Sequence, residues 1–250
     1  MSLSAALVLL AAAFGTALLS SVFGMAGGLV LMGVLAVLLP VQAAFVTHGV
    51  LQLAANGSRA ILQRQHIRWP ILFAYALGSL AACGLVLVLA FTPSRPFLYL
   101  CLGLTPLLTW LPGDRLRLDA ERPGHAILAG LSVTGLNLTA GVAGPLLDIF
   151  FVRTTLSRHA VVATKAATQV LAHLAKIVVY GAALLAPGGE GMPAPWILLL
   201  ALPLSFVGTY AGGRLLDRMS DAGFRRWTRW IVTGIGAVYL VQAARLFLAA

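Results

Sequence analysis

Five stretches of this chain, residues 3–39, 42–62, 69–91, 124–152 and 159–186, are almost continuously apolar. Several exceed the roughly 20 residues that carry a helix across the hydrocarbon of a bilayer. Inside hydrocarbon every backbone N–H and C=O must find a partner within the protein, which leaves helices or closed barrels. The alternating pattern of barrel strands is absent. Only 10% of the residues are charged, where a soluble domain carries about a quarter. The sequence therefore predicts an all-α polytopic membrane protein with the lipid bilayer as its first partner. The opening segment lacks a basic start and runs from Ala11–Ser20 directly into more apolar sequence, so it is expected to be a retained helix, not a cleaved signal.

Turn formers divide the apolar sequence into ten pieces: 3–22, 25–39, 42–62, 70–91, 96–111, 124–138, 142–152, 159–186, 195–212 and 230–248. The dividers are Pro40, the stretch Thr92 to Pro96, Pro112-Gly113-Asp114, the stretch Pro187 to Glu190, and Pro193. The expected division is a first membrane repeat at 1–111, a cytoplasmic linker at 112–123 and a second repeat at 124–250.

Basic residues orient these pieces. Arg59, Arg64 and Arg68 surround one linker, Arg115, Arg117 and Arg122 a second, and Arg214, Arg218, Arg225, Arg226 and Arg229 a third. The linkers at 92–95 and 187–194 hold one arginine and none. The positive-inside rule puts the first three in the cytoplasm and the last two outside. These assignments agree only if 124–138 and 142–152 form a hairpin that returns Arg153 and Arg158 to the cytoplasm. The first half then runs outside to inside and the second inside to outside, giving two inverted repeats.

Glycine interrupts both halves at matching places. The first has Gly24, Gly27 and Gly28; the second has Gly141, Gly144 and Pro145. At an offset of 117, Gly24 falls on Gly141 and Gly27 on Gly144. Broken or re-entrant helices are one reading, since irregular backbone at membrane depth is tolerated against protein or a water-filled cavity. Close helix packing through small residues is the other. Ser20 and Ser21 precede the first break, and Thr134, Asn137 and Thr139 the second, where they could satisfy opened backbone groups.

The same offset aligns four polar positions: His48 with Lys165, Gln52 with Gln169, Asn56 with His173, and Arg59 with Lys176. Steps of four, four and three form one stripe on a helix. Lys165 and Lys176 are the only lysines in the chain. Polar groups in membrane helices are costly and normally face a bundle interior or cavity. The stripes are therefore candidates for a path taken by a small anion, with Lys165 as its attraction. The alternative has Arg59 and Lys176 snorkelling to an interface while the neutral groups make packing hydrogen bonds. Asp148, the single acid in 124–152, is a partner for Lys165, a coupling group or an isolated polar residue; His48 is a second candidate to carry a coupling proton.

A net charge of +10 comes from seventeen Lys and Arg against seven acids. A positive membrane face explains it, and no folded basic platform for nucleic acid is expected. Cys83 and Cys101 lie in apolar segments, no metal-ligand spacing occurs, and no nucleophile elbow or paired carboxylates point to an enzyme. No cofactor or metal is expected. A homo-oligomer is compatible with the sequence.

The chain resembles the TauE/SafE sulfite-exporter-like permeases. The resemblance lies in the stretch Phe23 to Gly28 leading to Pro40, the small and polar segment Ala43 to Gly57, His66-Ile67-Arg68-Trp69, and the echo Thr139 to Pro145 followed by Ala163 to Thr168. It spans nearly the whole chain. It implies a permease of a bacterial-type inner membrane with about eight helices, moving sulfite, a sulfonate or a related organosulfur anion, with proton coupling. A non-transporting membrane scaffold of the same fold, and a channel, are the competing readings.

Overall fold

The computed structural model describes residues 1–23, 26–110, 117–185, 191–216 and 221–249. Among them are ten α-helices: α1 (Leu3–Phe23), α2 (Ala26–Leu38), α3 (Val41–Leu62), α4 (Trp69–Val88), α5 (Arg95–Leu104), α6 (Pro123–Ala140), α7 (Gly144–Phe151), α8 (Arg158–Leu185), α9 (Pro195–Leu216) and α10 (Asp221–Leu248). Proline opens many of them. Pro70, Pro96, Pro123 and Pro145 occupy first-turn positions, where a missing N–H breaks no intrahelical bond. Ser94 caps α5 by accepting from the Phe97 N–H at 3.4 Å.

Five helices, over Leu3–Val22, Trp69–Val88, Arg158–Ala182, Pro195–Gly212 and Trp230–Leu248, are long and apolar enough to cross a membrane. Large side chains such as Leu3, Phe73, Leu80, Val88 and Leu199 stay exposed on them, as on a surface that meets lipid. The fold is a multi-span helical membrane protein.

The helix contacts carry an internal symmetry. α1 packs on α9 and α4 on α6; α3 crosses α8; α5 meets α10; α1 touches α2 and α6 touches α7; α3 meets α9 and α4 meets α8. Replacing each of α1 to α5 by the helix five places on, and the reverse, returns this set of pairs, while the α2–α3 and α6–α8 contacts have no counterpart as extensive. Small residues permit the tightest of them. A Cβ on Gly78 or Gly130 would run into the backbone of the facing helix in the α4–α6 pair, and one on Gly208 or Gly212 would do so in the α1–α9 pair. Backbones brought this close gain dispersion contacts, the main attraction between helices in lipid. Hydroxyls bind the α4–α6 seam as well, through Ser79, Thr134 and Tyr75.

Two expected pieces end elsewhere. The piece expected at 96–111 is helical only to Leu104 and continues as a 3-10 turn over Thr105–Trp110. Pro106 removes a helical N–H there, and Thr105 turns its hydroxyl back to the Cys101 carbonyl at 2.7 Å. The last helix begins at Asp221, ahead of the expected 230, because its first turns are arginine-rich and escape a hydropathy reading.

Candidate functional site

α6 stops where Gly141 adopts a left-handed backbone, φ +79°, a conformation most readily taken by glycine. After two more residues α7 starts at Gly144. With eight residues it is about 12 Å long, too short to cross a hydrocarbon core of about 30 Å. The chain beyond α7 lies against the start of α6. The Ala120 N–H donates to the Phe150 carbonyl at 2.8 Å, and Thr155 donates its N–H and hydroxyl to the Glu121 carboxylate at 2.6 and 2.9 Å. In the first half, α1 ends at Phe23 and α2 begins at Ala26; Gly24 lies outside the described residues. Gly27 sits against the Thr16 carbonyl and Ser20 of α1 with no room for a Cβ. Gly28 faces Gln52, whose Nε2 would lie 2.6 Å from an added Cβ.

Between these two glycine regions is a cavity of about 600 Å³. His48, Gln52, Asn56 and Arg59 of α3 line it, as do Lys165, Gln169 and His173 of α8. Gly28 and the turn Val142–Gly144 complete the wall on either side. From His48 to Arg59 the cavity follows α3 for about 16 Å, at about 1.5 Å per residue. All of the first stripe and all of the second but Lys176 thus face one cavity.

Lys176 lies behind the inner end of that cavity and is fully buried. Its ammonium donates to the Gly141 carbonyl at 2.6 Å and to His48 Nδ1 at 3.2 Å, and stands 5.3 Å from the centre of the Phe45 ring. All three neighbours are electron-rich, the surroundings that suit a group with donors and no acceptor. The other nitrogen of His48, Nε2, is 3.1 Å from the Gly28 carbonyl. A carbonyl accepts only, so Nε2 carries the proton and Nδ1 receives the lysine N–H. One hydrogen-bonded chain therefore joins Gly28 in α2, His48 in α3, Lys176 in α8 and Gly141 at the end of α6. The snorkelling alternative does not hold for Lys176: its head group turns into the bundle, where the end of α6 offers it the Gly141 carbonyl.

Two further expectations change. Lys165 is not a free cation, since Asp148 of α7 forms an ion pair with it; of the three roles open to Asp148, partnership with Lys165 is the observed contact. The hydroxyls before the second break do not satisfy opened backbone groups. Thr134 bonds across to α4, and Thr139 turns back to Gly135 at 2.9 Å. Above the inner end, Phe45 and Tyr180 meet with ring centroids 4.7 Å apart, and the Tyr180 hydroxyl donates to the Leu138 carbonyl at 2.5 Å. The His173 ring lies tilted against that of His48, with 5.6 Å between ring centres.

The profile of the family described as Sulfite exporter TauE/SafE matches residues 9–239. Neither the curated proteins nor the solved structures contain a match to this chain. A match over most of the chain includes both glycine regions, both polar stripes and all but the last turns of α10. The chain belongs to the TauE/SafE family and is a multi-pass membrane transporter of the sulfite- and anion-exporter type, not an enzyme.

Proposed function

We propose that the cavity is the substrate path of a secondary transporter that carries sulfite or a small organosulfonate, coupled to protons, in a bacterial-type inner membrane. The observation that carries this reading is the convergence of both polar stripes on one space between two interrupted helices. Residues 1–111 and 124–250 form inverted repeats joined by a cytoplasmic linker at 112–123. The self-mapping helix contacts support that arrangement, and so does the return of the chain after α7 to the start of α6. His48, Gln52, Asn56, Lys165, Gln169 and His173 contact the solute along its way. His48 and Asp148 are the groups that take up and release a coupling proton. Interrupted helices present unpaired backbone groups at membrane depth, where they replace water around a solute.

The arrangement also supports alternating access. Phe45, Tyr180 and the Lys176 contacts pack beyond the His48 end of the cavity, while Gln63 and the exposed Val162 line its other end. At the offset of 117 between halves, Val162 is the counterpart of Phe45 and Gln63 that of Tyr180. Closure at Gln63 and Val162 with opening at Phe45 and Tyr180 generates the opposite state. Proteoliposomes loaded with sulfite, with and without a proton gradient, test the proposal. Gradient-driven accumulation abolished by a protonophore is expected. Flux that only equilibrates would favour a channel, and no flux of sulfite, sulfoacetate or taurine would favour a scaffold.

A further inference from the structure

We infer that the inner end of the cavity, at Asn137 and His173, is the seat for a singly charged oxyanion that bears a hydrogen-bond donor of its own. The inference rests on the transport reading above and specifies the substrate at that site.

Asn137 is 1% exposed, lines the cavity, and has no partner for either Nδ2 or Oδ1 among the described residues. His173, 4% exposed, lines the same cavity with Nδ1 unpartnered, and so does Ser21 with its hydroxyl. Buried polar groups are nearly always paired, and leaving one unmade costs about 1–3 kcal/mol. Gln63, further along the cavity, has its Oε1 unpartnered as well; the groups of Asn137 on α6 and His173 on α8 are accounted for by a ligand.

The chemistry of the carboxamide narrows that ligand. Its Nδ2 offers donors and its Oδ1 offers an acceptor. An oxyanion with acceptors alone would meet Nδ2 and set its lone pairs against those of Oδ1. A ligand holding both an anionic oxygen and an N–H or O–H answers both edges. Hydrogensulfite and amino- or hydroxy-bearing sulfonates have this character; sulfate and simple alkylsulfonates do not.

Charge narrows it again. Lys165 is matched by Asp148, and Arg59 stands about 16 Å along α3 from His48. Close to the seat is Lys176. Its ammonium binds the Gly141 carbonyl, and the Gly141 N–H donates to the Asn137 carbonyl at 3.1 Å. The charged side chains that line the cavity are the paired Lys165 and the distant Arg59, and a charge taken into a low-dielectric interior without a partner is costly, so a monoanion is favoured there over a dianion.

Three probes of nearly equal shape separate these demands: sulfamate is a monoanion with an N–H donor, methanesulfonate a monoanion without one, and sulfate a dianion. Binding is measured by calorimetry on the purified full chain in nanodiscs, with sulfite flux followed in proteoliposomes alongside. Sulfamate should bind at least about tenfold more tightly than either of the others, as a satisfied buried acceptor implies. Asn137→Leu should bring sulfamate to the level of methanesulfonate. Equal binding of sulfamate and methanesulfonate by the wild-type chain would overturn the donor requirement, whatever the variant does. Sulfate binding as tightly as sulfamate would overturn the single-charge requirement. Sulfite flux without sulfamate binding would overturn the seat alone, whereas absence of both flux and binding would remove the transport reading and the seat together.

Discussion

Lys176 of α8 donates to Nδ1 of His48 of α3 at 3.2 Å, although the two residues are 128 positions apart. His48 in turn holds the Gly28 carbonyl, and Lys176 the Gly141 carbonyl. Both glycine regions thus meet at one imidazole–ammonium contact. Movement of α3 past α8 must break it or carry both regions along.

Lys176→Met keeps the length of the side chain and removes its donors. Flux of the transported anion should fall at least about tenfold, equivalent to about 1.4 kcal/mol. The stability change should be small by comparison, because removing a buried charge offsets the loss of its two hydrogen bonds. Transport assays and thermal unfolding in the same detergent check the two halves of this expectation. Wild-type flux in the variant would exclude Lys176 from the mechanism.

The ion pair of Lys165 with Asp148 gives signs that differ between partners. Lys165→Ala leaves a carboxylate beside the path and should suppress anion flux about tenfold or more. Asp148→Asn frees the cation and should tighten anion binding, and Lys165→Ala with Asp148→Asn should lie between the two. Equal loss in both single variants would assign the pair to structure or proton coupling, not to attraction of the anion. Apparent affinity at several ionic strengths provides the measurement, since an exposed charge effect is screened by salt.

Gly141→Ala should destabilise the protein by about 1–2 kcal/mol, the cost of a left-handed backbone for a residue with a Cβ. The added carbon would also lie 2.8 Å from Met32 Cγ. Gly181→Ala, in α8 with nothing within 4 Å of the new carbon, should be neutral or stabilising by up to about 1 kcal/mol. Thermal unfolding of the pair decides whether the end of α6 is conformationally demanding.

Orientation is open to direct labelling. With Cys83 and Cys101 replaced by serine, a cysteine at Arg153 should react with an impermeant thiol reagent from the cytoplasmic side. Exclusive reaction from outside would overturn the hairpin of α6 and α7 as an inward-returning element, and with it the inverted repeats.

Helix positions were largely legible because the bilayer imposes one length and one composition on a crossing segment. α3 was expected at 42–62 and spans Val41–Leu62; α7 was expected at 142–152 and spans Gly144–Phe151. The start of α10 was not legible, since arginines hide helical sequence from any measure of apolarity. The stripes were legible as a period. Their cavity follows from the α3–α8 crossing, which no local pattern encodes. Lys176 shows the limit most sharply. Snorkelling and burial are equally consistent with a lysine at the end of a polar stripe, and the carbonyl of Gly141, 35 residues earlier, distinguishes them. Asn137 was visible as a polar residue near a break, but its lack of partners is a property of the assembled wall.

The pairing of α1 with α9 and of α4 with α6 has a consequence for biogenesis. The most extensive packing of α1, α4, α6 and α9 joins residues before the 112–123 segment to residues after it. During synthesis α1 and α4 enter the bilayer long before their partners exist, with the backbone-close faces around Ala17 and Gly78 covered only by lipid. The first half waits in the membrane as an incomplete structure, and the order of translation makes α6 the earliest helix that can begin to close it. Two halves supplied as separate chains would have to find each other before either could complete the packing of its first and fourth helices.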